Sequence, residues 1–171
     1  GSILNLVPDL YESWHAGKSK WKNFKSLNQN SIGIEIHNSG HDYSFENFTS
    51  KQINSLKKLL KILTRIYKID SKKILGHSDI AVERKKDPGE KFPWEHLAKN
   101  KISLWHNLEK KILRKYRVNK IDKNDQKTFL NNLFKIGYSK KIPKNIKKEK
   151  YQAFIVKAFQ RRFRQDLVNG K

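Results

Sequence analysis

Four side chains in the first half of the chain have the types and order from which a metal-dependent hydrolytic site could be built. Glu35 lies in an alternating segment, His77 follows a short apolar segment, and Lys85 and Asp87 lie two residues apart in the next loop. Imidazole nitrogen and carboxylate oxygen are ordinary zinc ligands, and a catalytic zinc takes three protein ligands. Residues two apart in an extended segment project to the same side, which would place Lys85 beside a metal held by Asp87.

These residue types together favour hydrolysis of an amide bond. Zinc lowers the pKa of a bound water to about 7, and a carboxylate such as that of Glu35 can take the proton. The ammonium of Lys85 can stabilise the oxyanion of a tetrahedral intermediate. Simpler interpretations compete with this one, because a histidine after a strand is often structural and Asp-Pro-Gly is a common turn sequence.

The segment that carries Glu35 predicts a core strand. Residues 31–37 alternate strictly, so that Ile32, Ile34 and Ile36 share one face and Glu35 lies on the other. Burial of the isoleucine face would place Glu35 on the opposite face of a core strand. A carboxylate in that position is costly unless it is paired or faces a cleft.

A helix and two further strands are predicted around this segment. Thr49 and Gln52 have the spacing of a capping box, and the apolar residues beyond them predict a helix over residues 50–68. Residues 3–7 and 74–77 predict short strands. The order favours an α/β fold with a mixed central β-sheet flanked by helices.

The character of the sequence changes after residue 98. Apolar residues recur at helical spacing in three later segments, with a lysine-rich linker at residues 140–150. We therefore predict two domains, an α/β domain over residues 1–98 and a small all-helical domain over residues 103–171.

Charge and composition exclude several classes of protein. The 171 residues contain 38 Lys and Arg against 16 Asp and Glu, a formal charge of +22, and no cysteine. Without cysteine there are no disulfides, thiolate zinc ligands or cysteine nucleophile. No apolar run approaches the roughly 18 residues of a transmembrane helix, and no secretory signal is recognisable.

The positive charge is concentrated in the second part of the chain. The first 100 residues carry 17 basic and 11 acidic side chains, whereas residues 101–171 carry 21 and 5. Such a surface attracts polyanions, and nucleic acid is one candidate. Only 7 of the 38 basic residues are arginine, the residue favoured for bidentate contacts to phosphate and guanine, so we predict no specific nucleic-acid partner.

Several short motifs together closely resemble the type-2 N-acetylmuramoyl-L-alanine amidases, which share their fold with the peptidoglycan recognition proteins. The resemblance covers residues 3 to about 98, and it is closest to the AmiD-like branch, which appends a small helical peptidoglycan-binding domain. The motifs occur in this order: Trp-His-Ala-Gly at 14–17, Ser-Ile-Gly-Ile-Glu-Ile at 31–36, Gly-His-Ser-Asp-Ile-Ala at 76–81, Arg-Lys-Lys-Asp-Pro-Gly at 84–89 and Phe-Pro-Trp at 92–94.

The resemblance implies a role for each candidate residue. It implies that His77 and Asp87 are zinc ligands, that Glu35 is the general base and that Lys85 stabilises the oxyanion. Trp14 and His15 are expected at the substrate. The implied reaction is hydrolysis of the amide between the lactyl group of N-acetylmuramic acid and the first L-alanine of the stem peptide.

The implied zinc site needs a third ligand. In the family this ligand is a histidine on an earlier strand, which we expect upstream of residue 1. His37 lies on the same strand face as Glu35, but nothing in the family motif places a ligand there. The alternative function is that of a peptidoglycan-binding protein of the same fold that does not cut its ligand.

The resemblance also implies where the protein acts. We expect a monomer in the bacterial cell envelope, in the periplasm, with peptidoglycan or muropeptides as its partners. Peptidoglycan is anionic through its stem-peptide carboxylates, so the basic residues 101–171 suit docking to the cell wall.

Overall fold

A computed structural model describes residues 2–119 and 121–171. Over these residues the chain is built mainly from helices joined by long loops, with one short strand pair near the start. In chain order the elements are β1 (Lys20–Trp21), β2 (Phe24–Lys25), α1 (Leu27–Asn30), α2 (Ser50–Ile66), a 3-10 turn (Ser71–Lys73), α3 (His77–Ile80), α4 (Trp94–Lys99), α5 (Lys110–Arg117), α6 (Lys123–Ile136) and α7 (Lys148–Phe163).

The predicted helix over residues 50–68 is confirmed as α2, which ends at Ile66. Its first turn is closed by the predicted capping box, since the Gln52 backbone N–H donates to the Thr49 side chain and the Thr49 N–H donates to the Gln52 side chain. The buried face of α2 packs in a cluster with the following residues: Phe92, Trp94, Leu97 and Ile102.

The prediction of a mixed central β-sheet is wrong for the described residues. Their only sheet is the antiparallel pair β1 and β2, in which Trp21 lies opposite Phe24. Residues 3–7 and 31–37 are not paired strands, and the predicted strand over 74–77 gives way to α3 at His77. An alternating pattern predicts an extended backbone, but a strand also needs a neighbour for its N–H and C=O groups.

The isoleucine face of residues 31–37 is only partly buried. Ile34 and Ile36 pack against the α2 cluster, as the alternation predicts. Ile32 is 42% exposed, so the predicted burial of all three isoleucines is wrong at this position. Glu35 is exposed on the other face.

The C-terminal helices share a core with the beginning of the chain. Leu133 of α6 and Ile155 of α7 are almost fully buried, and they belong to the same cluster as Ala16, Trp21 and Leu27. The helix α7 also packs against α3. The division into residues 1–98 and 103–171 stays a prediction, and this packing joins the two parts.

Within the described ranges, no helix has both the length and the apolar character needed to cross a membrane.

The shared core makes a prediction about stability. Ile155→Ala should lower the free energy of unfolding by about 2–5 kcal/mol, because it leaves a cavity where α7 meets the N-terminal loops. Denaturant titration of the whole chain measures this. The control is Ile66→Ala, at a position that is 59% exposed, which should change it by less than about 0.5 kcal/mol. Equal effects of the two substitutions would contradict the shared core.

Candidate active site

The start of α3 fixes the position of His77. Asp79 accepts the Gly76 backbone N–H through Oδ2 at 2.9 Å, which closes the turn around the histidine. The Ser78 N–H donates to the Asp87 carbonyl oxygen at 2.8 Å. A Cβ on Gly76 would lie 2.8 Å from Cδ of Pro88, so the close packing of the two segments requires glycine. The loop that carries Asp87 is therefore fastened to the turn that carries His77.

The side chains of His77 and Asp87 meet directly. His77 Nδ1 lies 3.1 Å from Asp87 Oδ2, and His77 Nε2 lies 3.1 Å from the Ala16 carbonyl oxygen. A carbonyl oxygen can only accept, so Nε2 carries a proton. In neutral imidazole this leaves a lone pair on Nδ1 that faces a carboxylate oxygen. Two acceptors at this distance need a cation between them, either a proton on Nδ1 or a metal ion.

Residues near Asp87 favour its charged form. When a proton bridges the two side chains, the hydrogen bond and positive charge of His77 outweigh the partial burial of Asp87 and hold its pKa below the ordinary value. The Lys85 ammonium lowers it further. An ionised carboxylate beside a lone pair of imidazole is the donor set that zinc takes in proteins. A second ring nitrogen bonded to a backbone carbonyl is typical of a histidine ligand.

The loop that supplies the Ala16 carbonyl is held by two side chains that sequence reasoning missed. Asn28 Oδ1 accepts the backbone N–H groups of Ala16 and Gly17, both at 2.9 Å. The Arg84 guanidinium donates to the carbonyl oxygens of Ala16 and Lys18. Arg84 lies in a recognised motif, which is a signal for it, whereas nothing local marks Asn28.

His15 packs on the segment that carries Glu35. A Cβ on Gly33 would overlap the His15 ring, so the ring lies directly on the glycine. His15 Nδ1 is 2.7 Å from Ser13 Oγ, and Nε2 is 2.9 Å from Ser31 Oγ. Gly33 and Glu35 are two apart in an extended segment and so share a face. The loop over residues 14–17 thus lies on the Glu35 side of this segment.

The structure brings two of the candidate residues into direct contact. His77 and Asp87 meet, and the Ala16 carbonyl joins them to the loop that carries His15. Lys85 acts on Asp87 through its charge. Glu35 is exposed, on the same side of its segment as Gly33, and no hydrogen bond of His77 in the described chain reaches it.

Trp14 and His37 stand apart from this group. Trp14 is 89% exposed, and the His37 side chain is exposed as well. Across residues 2–119 and 121–171, no group of three or more histidine, aspartate or glutamate residues could hold a metal ion. His77 and Asp87 are therefore two candidate zinc ligands, and the described residues show no third.

A family profile matches the part of the chain that holds this site. The family described as N-acetylmuramoyl-L-alanine amidase matches residues 1–90.

Named proteins are similar over all or half of the chain. The sequence is 36% identical to N-acetylmuramoyl-L-alanine amidase AmiD of Escherichia coli over 176 residues, which cover 99% of this chain and 62% of AmiD. It is 39% identical to 1,6-anhydro-N-acetylmuramyl-L-alanine amidase AmpD of Haemophilus influenzae over 96 residues, covering 56% of this chain and 50% of AmpD. The chain thus spans less than two thirds of the length of either relative.

Solved structures show the same fold. A complex of Escherichia coli AmiD with the substrate anhydro-N-acetylmuramic acid-L-Ala-D-gamma-Glu-L-Lys superposes with a TM-score of 0.81 at 33% identity, over 99% of this chain and 66% of that one. AmpDh3 of Pseudomonas aeruginosa superposes with a TM-score of 0.79 at 36% identity, over 98% of this chain and 66% of that one.

The contact between His15 and Gly33 yields a test by double-mutant cycle. Gly33→Ala should lower the free energy of unfolding by about 1–3 kcal/mol, because the new methyl group must displace the ring. In the His15→Gly background the same substitution should cost less than about 0.5 kcal/mol, since both the ring and the His15 Cβ, which would lie 2.6 Å from the new methyl group, are gone. An equal cost in both backgrounds, measured by denaturant titration, would show that the two residues are not in contact.

Proposed function

The chain belongs to the N-acetylmuramoyl-L-alanine amidase family, and from this premise we propose that it is a zinc-dependent amidase of peptidoglycan. The proposed reaction cleaves the amide between the lactyl group of N-acetylmuramic acid and L-alanine of the stem peptide. One observation carries the proposal, namely the approach of His77 Nδ1 to Asp87 Oδ2 with Nε2 held by the Ala16 carbonyl. This contact supports His77 and Asp87 as two of the zinc ligands, and the family profile covers His77 and Asp87.

The residues present fit zinc. His77 would bind through Nδ1 and Asp87 through Oδ2, while the hydrogen bond of Nε2 to Ala16 orients the ring. Zinc, when bound, acts as a Lewis acid that activates water and polarises the amide carbonyl. The ionised state of Asp87, favoured by His77 and Lys85, prepares the site for a cation.

Glu35 would transfer the proton in this reaction, and Lys85 would stabilise the negative charge that develops. Glu35 accepts a proton from the attacking water as its oxygen bonds to the carbonyl carbon. Lys85, beside Asp87, stabilises the negative charge that develops on the carbonyl oxygen. The C–N bond then breaks, and Glu35 returns the proton to the leaving amine of L-alanine. The products are the free lactyl carboxylate and the stem peptide.

Trp14 and His15 would contact the substrate. The Trp14 ring is exposed and offers an apolar face to a sugar ring. Both nitrogens of His15 are occupied by Ser13 and Ser31, so His15 would shape the cleft wall rather than transfer protons. The similar AmiD structure is a complex with an anhydro-muropeptide substrate, which supports a muropeptide ligand for this chain.

The substrate sets the proposed place of action. An amidase of peptidoglycan acts in the bacterial cell envelope, and we propose the periplasm and a monomeric protein. The basic side chains of residues 101–171 would hold the protein to the anionic wall, an attraction that added salt weakens.

A non-catalytic peptidoglycan-binding protein is the second candidate. A protein that only binds peptidoglycan needs the exposed Trp14 ring but no metal ion, whereas a catalytic zinc takes three protein ligands. The two functions differ in metal content and product. The binder would retain muropeptides without releasing a stem peptide.

Turnover of a muropeptide tests the two catalytic roles. Glu35→Gln should lower kcat by about 10²–10⁴-fold, because no base remains for the water. Lys85→Met should lower it by about 10²–10³-fold, because the oxyanion loses its cation. Stem-peptide release is measured by chromatography on the zinc-loaded protein that includes the expected upstream histidine. Glu149→Gln and Lys58→Met, at exposed positions, are the matched controls and should keep full activity. Normal activity of both site variants would contradict the assignment.

Zinc removal tests the metal. A chelator should abolish stem-peptide release and added zinc should restore it. His77→Ala should lose zinc uptake in a metal titration, whereas His96→Ala, at an exposed position on α4, should retain it. Full activity after chelation would refute zinc dependence. Retention of muropeptide without cleavage by the zinc-loaded chain would favour the binding protein.

A further inference from the structure

A buried charged cluster lies directly beneath the turn that carries His77. Asp79, Tyr138 and Arg162 have exposed fractions of 3%, 3% and 4%. Side chains of Asp and Arg are almost never buried to this extent unless they are paired. The aspartate comes from α3, the tyrosine follows α6 and the arginine comes from α7. Helices far apart in the sequence therefore meet under the candidate site.

The Asp79 carboxylate accepts three hydrogen bonds. Oδ2 accepts the Gly76 backbone N–H at 2.9 Å and Arg162 Nη1 at 3.1 Å. Oδ1 accepts the Tyr138 hydroxyl at 2.8 Å. Burial next to this carboxylate raises the pKa of Tyr138 well above its ordinary value, so the hydroxyl stays protonated and donates. A buried carboxylate bound in this way has one orientation available to it.

Arg162 contacts the chain on both sides of His77. Nη1 donates to the Ile74 carbonyl oxygen at 3.0 Å, three residues before the histidine, as well as to Asp79, two residues after it. The guanidinium carbon lies 4.0 Å from the centre of the Trp94 ring. Only arginine has a planar guanidinium that can donate several hydrogen bonds and also stack on an aromatic ring. The two contacts fix the backbone turn from which the His77 side chain projects.

A buried ion pair is a weak source of stability, because desolvation offsets most of the attraction. A buried ion pair can instead fix the orientation of the groups around it. Here the group is His77, whose two ring nitrogens must reach Asp87 on one side and Ala16 on the other. A misplacement of about 1 Å in a catalytic group can cost on the order of 100-fold in rate.

We propose that Arg162 is a positioning residue for the active site, acting through Asp79 and Ile74 to hold His77 in its ligating orientation. This role rests on the proposed amidase function. It gives the C-terminal helices a second task beside contact with the cell wall, because α7 then forms part of the scaffold of the catalytic centre.

The test compares two neighbouring arginines of α7 in the whole chain. Arg162→Met keeps an unbranched side chain of similar length and removes both contacts. Arg161→Met removes a guanidinium from the preceding residue and leaves the hydrogen bonds of Arg162 to Ile74 and Asp79 in place, so it is the matched control. Arg162→Lys is the conservative variant and restores a charge beside Asp79. All are measured well below their unfolding midpoints, so that each is fully folded.

Two readouts separate positioning from stability. The first is kcat and KM for stem-peptide release, where Arg162→Met should lower kcat about 10- to 100-fold with KM within about 2-fold. The second is the ¹⁵N NMR signal of the His77 ring in the metal-free chain, assigned with His77→Gln, which should shift in Arg162→Met. Arg162→Lys should recover part of both, and Arg161→Met should change neither.

The outcomes are distinct. A folded Arg162→Met with unchanged kcat and unchanged His77 signals overturns the proposal, as does a fall in kcat without any shift of those signals. If Arg162→Met does not fold, Asp79→Asn with Arg162→Met removes the unpaired buried carboxylate, and a displaced His77 signal is again expected. If the protein that includes the expected upstream histidine releases no stem peptide, the amidase proposal fails, while the NMR signals still decide whether Arg162 positions His77.

Discussion

The hydrogen bond between His77 Nε2 and the Ala16 carbonyl oxygen sets the chemistry of the whole site. It fixes the tautomer, because a carbonyl can only accept, and it thereby directs the Nδ1 lone pair at Asp87. Several other contacts hold the two partners of this bond in place. Asn28 and Arg84 hold the loop that supplies the carbonyl, and the shared core of α6 and α7 holds the helix beneath the histidine.

The sequence predicts local elements of this structure better than contacts between distant segments. The helix α2 and its cap follow from local spacing, and His77 and Asp87 meet because the loop between them is short. The central sheet is not predicted correctly, because alternation in residues 31–37 indicates an extended chain and says nothing about a partner. Asn28 and Arg162 act over 11 to 88 residues of sequence separation, and no local pattern marks such contacts.

The positive charge of the chain has two physical roles. Most of it is lysine, which is strongly hydrated and keeps its ammonium in water. Arg162 is the opposite case, since it is buried, stacked on Trp94 and bonded to Asp79. A count of charges therefore indicates attraction to an anionic wall, but it does not reveal that one of the cations in the basic half belongs to the scaffold of the active site.

The most direct test of this account is the response of the His77 ring to zinc, followed by long-range ¹H–¹⁵N NMR of the whole chain. Zinc should shift the Nδ1 signal and leave Nε2 protonated and bonded to Ala16. A shift at Nε2 instead would contradict the tautomer that the Ala16 carbonyl imposes. No response of either nitrogen to saturating zinc would contradict the assignment of His77 as a metal ligand.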